Sequence, residues 1–203
     1  MLLNLNMLYN KYKLRINGVI HIGAHYGTEN YSYKNHAIEN KMFFEPLPHV
    51  FEILKQNVTD AILVNKALGN DNKRVKMYVE RDNQSQSSSV LKPKIHTLQY
   101  PHIKFKETIE VEMTRLDDCE FDRSKYNFIN IDVQGYELEV FKGAKKTLAG
   151  IDYIMSEVNR AELYEGCVQV TELDKFLSHY GFERVETTWD GSSWGDAFFI
   201  KNK

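Results

Sequence analysis

Seven short apolar runs recur along the 203-residue chain, and most are separated by stretches with helical spacing. The runs are "GVIHI" (18–22), "KMFFE" (41–45), "AILVN" (61–65), "NFINIDV" (127–133), "DYIMSEV" (152–158), "FERVETT" (182–188) and "DAFFIK" (196–201). Strands that lack polar alternation are buried on both faces, which requires helices above and below a mainly parallel sheet. Segments 27–38, 47–57 and 137–148 supply that pattern: Val50, Phe51, Leu54 and Val58 share one helical face, as do Leu138, Phe141, Ala144 and Leu148. The last two runs follow one another through the turn-rich "WDGSSWG", so they are expected to pair as an antiparallel hairpin at one edge. The helix before them, within "VTELDKFLSHYG", is expected to stop at Gly181. The prediction is an α/β fold with a seven-stranded sheet.

With 42% hydrophobic and 27% charged residues, 203 residues suit one domain over 1–203, with 1–17 as an N-terminal extension. Residues 81–108 are Ser/Gln-rich, carry Pro93 and Pro101 and show little periodicity. They form an inserted loop, expected to be either a lid or a disordered connector. A net charge of −2 provides no global footprint for nucleic acid. No window approaches the roughly 18 apolar residues of a spanning helix, so no membrane partner is expected and the chain is placed in the cytoplasm. Cys119 and Cys167 lie far apart, encode neither a disulfide framework nor a zinc knuckle, and are taken as packing residues.

A parallel sheet binds its ligand where strands end and their order reverses, so strand-terminal residues are the candidates for a site. The first run ends in Gly23-Ala24-His25-Tyr26-Gly27, which lets backbone approach a ligand but lacks the Gly-x-Gly-x-x-Gly spacing of dinucleotide binders. A tight turn would need the same glycines. The second run ends in Glu45 before Pro46, which opens the next helix; a carboxylate there can accept from both hydroxyls of a ribose. Asn65, Lys66 and Ala67 follow the third run, where an adenine ring would lie. Asp132 ends the fourth, ahead of the Gly135 turn, and either caps the following helix or faces the ligand.

"VIHIGAHYGTE", "FFEPLPHVFEILKQN", "VNKALGN", "SSSVL", "RLDD", "FINIDVQGYELEVFKGA" and "GFERV…WGDAFFIK" occur in the order seen in FkbM-type S-adenosylmethionine-dependent methyltransferases, and the chain resembles that family from about residue 18 to 201. The most specific stretch is "IDVQGYELEVFKGA". The resemblance implies a Rossmann-like fold, S-adenosyl-L-methionine as cofactor, and methylation of a hydroxyl on a carbohydrate or small natural product. The cofactor contacts expected are Gly23, Ala24, His25, Gly27, Glu45, Asn65, Lys66, Ala67 and Asp132; a hydroxyl acceptor needs a carboxylate or imidazole near the transferring methyl, and Asp132 and His25, more distantly Glu157, are the catalytic candidates. The chain departs from the usual pattern at His21 (commonly Asp), His25 (commonly Asn), Asn130 (commonly Lys) and Gln134 (commonly Glu).

Those departures keep a second class open, a non-catalytic nucleotide-binding or scaffolding relative. A dehydrogenase-like dinucleotide binder conflicts with the glycine spacing. Asp132, Glu157 and Asn159 could offer oxygen ligands to Mg²⁺, but no second strong carboxylate stands at a fixed spacing, and no metal is expected. Trp189, Trp194 and Asp196 near the edge hairpin suit either a core edge or stacking on a sugar ring.

Overall fold

The computed structural model describes residues 2–191 and 193–202. Its central sheet has seven strands: β1 (Gly18–Ile22), β2 (Asn40–Phe44), β3 (Ile62–Val64), β7 (Phe128–Ile131), β8 (Tyr153–Asn159), β9 (Phe182–Asp190) and β10 (Trp194–Lys201), in the order β3-β2-β1-β7-β8-β10-β9. The first five run parallel, and β10 pairs antiparallel with both β8 and β9. All seven expected strands form, with the hairpin at the edge. The order reverses between β1 and β7, so a crevice opens beyond their carboxyl ends.

Helices cover both faces because the strands are apolar on both. On one face Ile20, Ile22, Ile129, Ile131 and Ile154 pack against Val140 and Phe141 of α5 (Glu137–Lys142) and Leu173 and Leu177 of α6 (Val170–Ser178). The other face buries Val19, Phe43, Phe128 and Phe198 against Leu54 of α3 (Pro48–Asn57) and Tyr33 of α2 (Asn30–Asn35). α6 stops as expected before Gly181, at φ 84°. Three boundaries differ from expectation. α3 opens at Pro48, not Pro46, because Pro48 takes the first helical position, where a missing N–H costs nothing. α2 covers only part of 27–38, since residues 24–29 form the turn leaving β1. α5 ends at Lys142, and a 3₁₀ turn, Thr147–Gly150, completes the packing of the 137–148 face.

Two elements lie outside the sequence expectations. Residues 1–17 contain a helix, α1 (Leu5–Tyr12), capped by Asn4, whose Oδ1 accepts from the Met7 amide at 3.1 Å. Leu5, Leu8, Leu14 and Ile16 are buried on the Phe43 face, so this stretch is part of the core. A second sheet joins β4 (Ala67–Leu68), β5 (Lys73–Val79) and β6 (Glu107–Thr114) in the order β4-β6-β5. Val75, Met77 and Val79 alternate with polar residues, as do Ile109, Val111 and Met113, and the apolar sets pack over Leu47, Val50 and Ala67. That sheet walls one side of the crevice.

Segment 81–108 leaves β5 and returns into β6. The buried Glu80 carboxylate organises its start by accepting from the amides of Asn83 (2.6 Å) and Ser87 (3.3 Å). Farther on it holds a short helix, α4 (His96–Gln99), and docks on the loop after β8: the Lys94 amide donates to the Leu163 carbonyl at 2.8 Å, and Phe105, Ile95 and Leu91 pack on Tyr164 and Leu163.

Candidate functional site

A cavity of about 320 Å³ lies at the carboxyl ends of β1, β2 and β7, roofed by residues 84–90. Its floor is the turn after β1. Amides of Gly23 and Ala24 both donate to the Phe44 carbonyl (3.0 and 2.9 Å), tying that turn to β2. Gly23 has φ 76°, and a Cβ there would stand 1.8 Å from the Asp132 carbonyl oxygen, so no side chain fits where β1 and β7 meet. The apolar wall comes from Leu47, Leu68, Met77, Val90 and Tyr136.

Of the residues singled out in the sequence, Gly23, Ala24, His25, Glu45, Lys66, Ala67 and Asp132 line this cavity. Gly27 and Asn65 do not. A Cβ on Gly27 (φ 73°) would press on Leu54 and Val58 at 2.6 Å, so that glycine serves the packing of the turn on α3. Asn65 turns its amide inward, Nδ2 donating to the Glu45 and Pro46 carbonyls at 2.8 and 3.1 Å, and clamps the β2–α3 connection. Sequence reasoning missed Tyr26, Glu29, Met77, Ser85 and Ser88, all on the cavity wall. Met77 was signalled by the alternation of "VKMYV"; the other four had no periodic signal.

Glu45 is buried at the cavity edge and receives the backbone amides of His25 (3.0 Å, Oε2) and Leu47 (2.8 Å, Oε1). Burial pushes its carboxyl up to about 7, against the pull of those two donors. Each oxygen keeps a further lone pair for a ligand hydroxyl. His25 takes left-handed backbone (φ 49°), stacks on Tyr26 and places Nε2 2.8 Å from the Gln84 carbonyl. His49 similarly meets the Ser85 hydroxyl at 3.0 Å. Of the six described non-glycine residues with positive φ, four (His25, Gln84, Ser85 and Gln134) line the cavity. Backbone strain is concentrated where the roof meets the floor.

Asp132, at the tip of β7, does not cap α5. That helix has no side-chain cap; Glu137, its first residue, instead ties down the turn before it, its Oε1 accepting from the Val133 and Gly135 amides at 3.1 Å each. Asp132 Oδ1 instead accepts from Gln134 Nε2 at 2.8 Å, and the same nitrogen donates to Glu157 Oε2 at 2.6 Å. An amide NH₂ thus fills the position between the two carboxyls where a cation would have to stand. Among the described residues no group of three His, Cys, Asp or Glu side chains is arranged for a metal ion. Below the centre, Asn130 Nδ2 donates to the Tyr33 hydroxyl (2.6 Å), which lies 3.2 Å from His21 Nδ1; burial lowers the His21 pKa. Trp194 donates through Nε1 to the Tyr100 hydroxyl at 2.9 Å, and Arg160 lies over the Trp189 ring at 4.1 Å, both away from the cavity. Cys119 and Cys167 are free thiols raised by burial.

This sheet order with its edge hairpin is shared by solved methyltransferases. Magnesium protoporphyrin IX methyltransferase (ChlM) of Synechocystis PCC 6803 superimposes with a TM-score of 0.52 at 8% identity, over 91% of this chain and 69% of that one. A TehB-like SAM-dependent methyltransferase of Corynebacterium glutamicum gives 0.51 at 10% identity, over 97% and 86%. The fold is therefore the Rossmann-like one these enzymes share. Residues 21–184 match the model of the FkbM methyltransferase domain, and the chain belongs to that family of S-adenosyl-L-methionine-dependent methyltransferases. Eighty-two residues are 40% identical to the 2-O-methyltransferase NoeI of Sinorhizobium fredii, a stretch covering 39% of this chain and 34% of that protein.

Proposed function

We propose that the chain catalyses methylation of a hydroxyl on a carbohydrate or other small molecule, with S-adenosyl-L-methionine as methyl donor. The observation that carries this is one cavity, at the sheet's switch point, containing both a buried carboxylate for ribose hydroxyls (Glu45) and a strand-tip carboxylate beyond it (Asp132). The donor set fits the cofactor: Glu45 for the ribose, the apolar surfaces of Leu47, Ala67, Leu68 and Met77 for the adenine, and the turn at Gly23-Ala24 for the amino-acid end. The cavity volume falls at the lower end of small-molecule sites. When bound, the cofactor supplies an electrophilic methyl group. Asp132 orients the acceptor hydroxyl and takes its proton, and His25 holds the roof through Gln84. The name of NoeI supports an oxygen acceptor. Among the described residues no helix is long and apolar enough to cross a membrane, and two free thiols suit a reducing cytoplasm.

Residues 84–90 form the lid in this proposal. Its contacts to the turn after β1 and to α3 are two histidine bonds, while its own ends stay anchored on Glu80, Tyr78 and Tyr164. The test is a thermal-shift comparison of S-adenosylhomocysteine with NAD. S-adenosylhomocysteine at a hundred times its Kd should stabilise the fold by about 2.7 kcal/mol, and NAD by nothing comparable. Stabilisation by NAD alone would reverse the assignment.

A further inference from the structure

The centre at Asp132 includes a side chain that proton transfer alone does not require. Gln134 has left-handed backbone (φ 56°), a conformation that an ordinary side chain adopts at a cost. Its two amide hydrogens go to Asp132 Oδ1 (2.8 Å) and Glu157 Oε2 (2.6 Å). Its Oε1 accepts from the Tyr164 hydroxyl at 2.8 Å, and its backbone carbonyl accepts from the Ser89 hydroxyl at 2.9 Å. One nitrogen donating to two carboxyls forces those carboxyls to be neighbours. Glu157 is 3% exposed, whereas Asp132 is half-buried and faces the cavity.

The groups facing this pair are Glu137 at the start of α5, Asp196 on β10, Tyr164 from the loop after β8 and His21 on β1. The charged groups acting most strongly on Glu157 are all carboxyls, and burial together with them raises it well above the ordinary range. Two adjacent carboxylates repel, which favours a proton on one of them. A second feature marks this end of the sheet as built for a polar partner. Asn159, two residues along β8 and so on the Glu157 face, is fully buried with neither its amide nitrogen nor its oxygen paired.

We propose that Gln134 is a positioning residue, clamping Asp132 and Glu157 into a pair that shares one proton, with Asp132 as the cavity-facing member. It builds on the assignment of Asp132 as the base. The same clamp reaches the roof through Ser89 and through Tyr164, whose hydroxyl also lies 2.8 Å from the Ser87 carbonyl, so the geometry of the base is tied to lid closure.

Infrared titration of the full chain, labelled with ¹³C-carboxyl glutamate, tests this without an acceptor. Wild type should show a protonated glutamate carbonyl absorption at about pH 7.5 that Glu157→Gln reduces, the remainder belonging to Glu45 and Glu137; the difference is the Glu157 band. In Gln134→Met the two donated hydrogens are gone, both anions lose support, and the Glu157 band should persist about one to two pH units higher. A side chain that only fills space would leave that titration unmoved. Tyr164→Phe keeps the clamp's two donors and should shift the band less than Gln134→Met; should the latter misfold, Tyr164→Phe and Glu157→Gln still decide. No Glu157 band at about pH 7.5, or one titrating identically in wild type and Gln134→Met, overturns the proposal. Failure of S-adenosylhomocysteine to bind would instead strike the cofactor assignment, leaving the infrared result interpretable by itself.

Discussion

Glu45 and Asp132 divide the work of the cavity, and each makes a separate prediction. Glu45 is held neutral below about 7 by burial, yet it accepts ribose hydroxyls best as an anion. Cofactor binding should therefore release a proton under acidic conditions. The affinity for S-adenosylhomocysteine should rise by up to about tenfold per pH unit between about pH 5.5 and pH 7 and then level off. Calorimetry on Glu45→Gln, which cannot ionise, should show that slope flattened. For Asp132→Asn the expectation is different: size and most hydrogen bonding survive, so cofactor affinity stays, while turnover falls by about 10²–10⁴. Since Asp132 makes no cap bond to α5, the variant's melting temperature should also survive. Full turnover in Asp132→Asn would remove it as the base. Glu45 and Asp132 were legible as strand-terminal carboxylates, whereas Gly27 and Asn65 were named as ligand contacts and proved to face the protein. A glycine or amide at a strand end reads the same in sequence whether it meets a ligand or a neighbouring helix.

At the scale of elements, the five parallel strands and the edge hairpin could be read because they are apolar runs with little competing pattern. The second sheet could have been read too, since "KRVKMYV" and "ETIEVEMT" alternate strictly. α1 could not: "LNMLYNKY" mixes Asn and Lys among its apolar residues, and its burial depends on partners far along the chain, among them Val185 and Phe198 of the edge hairpin. Because Leu8 is fully buried there, Leu8→Ala should cost about 2–5 kcal/mol in a denaturant titration. A loss below about 0.5 kcal/mol would show that α1 does not contribute to the core. Residues 81–108 had too little periodicity for their turns to be foreseen, because bonds to Glu80 shape their start and docking on Leu163 and Tyr164 shapes the rest. Protection of this segment from limited proteolysis by S-adenosylhomocysteine would agree with a lid; equal cleavage with and without it would not.

For the whole molecule, buried carboxyls set the response to pH. Glu45 and Glu137 are each raised to about 7 and Asp196 to about 6 by burial, and Glu157 still further. The folded chain keeps protons that the unfolded chain would give up, so the stability present at low pH is lost as pH climbs through those values. His96, lowered to about 4 by burial, works in the opposite sense, but only below its unfolded value of about 6.5. With four such carboxyls set against His96, melting temperature should fall from about pH 5 to about pH 7.5, between the unfolded and folded values of Glu45 and Glu137, and a flat or rising profile there would contradict the protonation of these groups. The cavity at the switch point remains the centre of the account, and calorimetric titration of S-adenosylhomocysteine into wild type and Glu45→Ala at about pH 7.5 tests it most directly. The prediction is one site in the wild type and binding weaker by about 1.5–3 kcal/mol in the variant; no binding to wild type, or an unchanged Kd in Glu45→Ala, would contradict it.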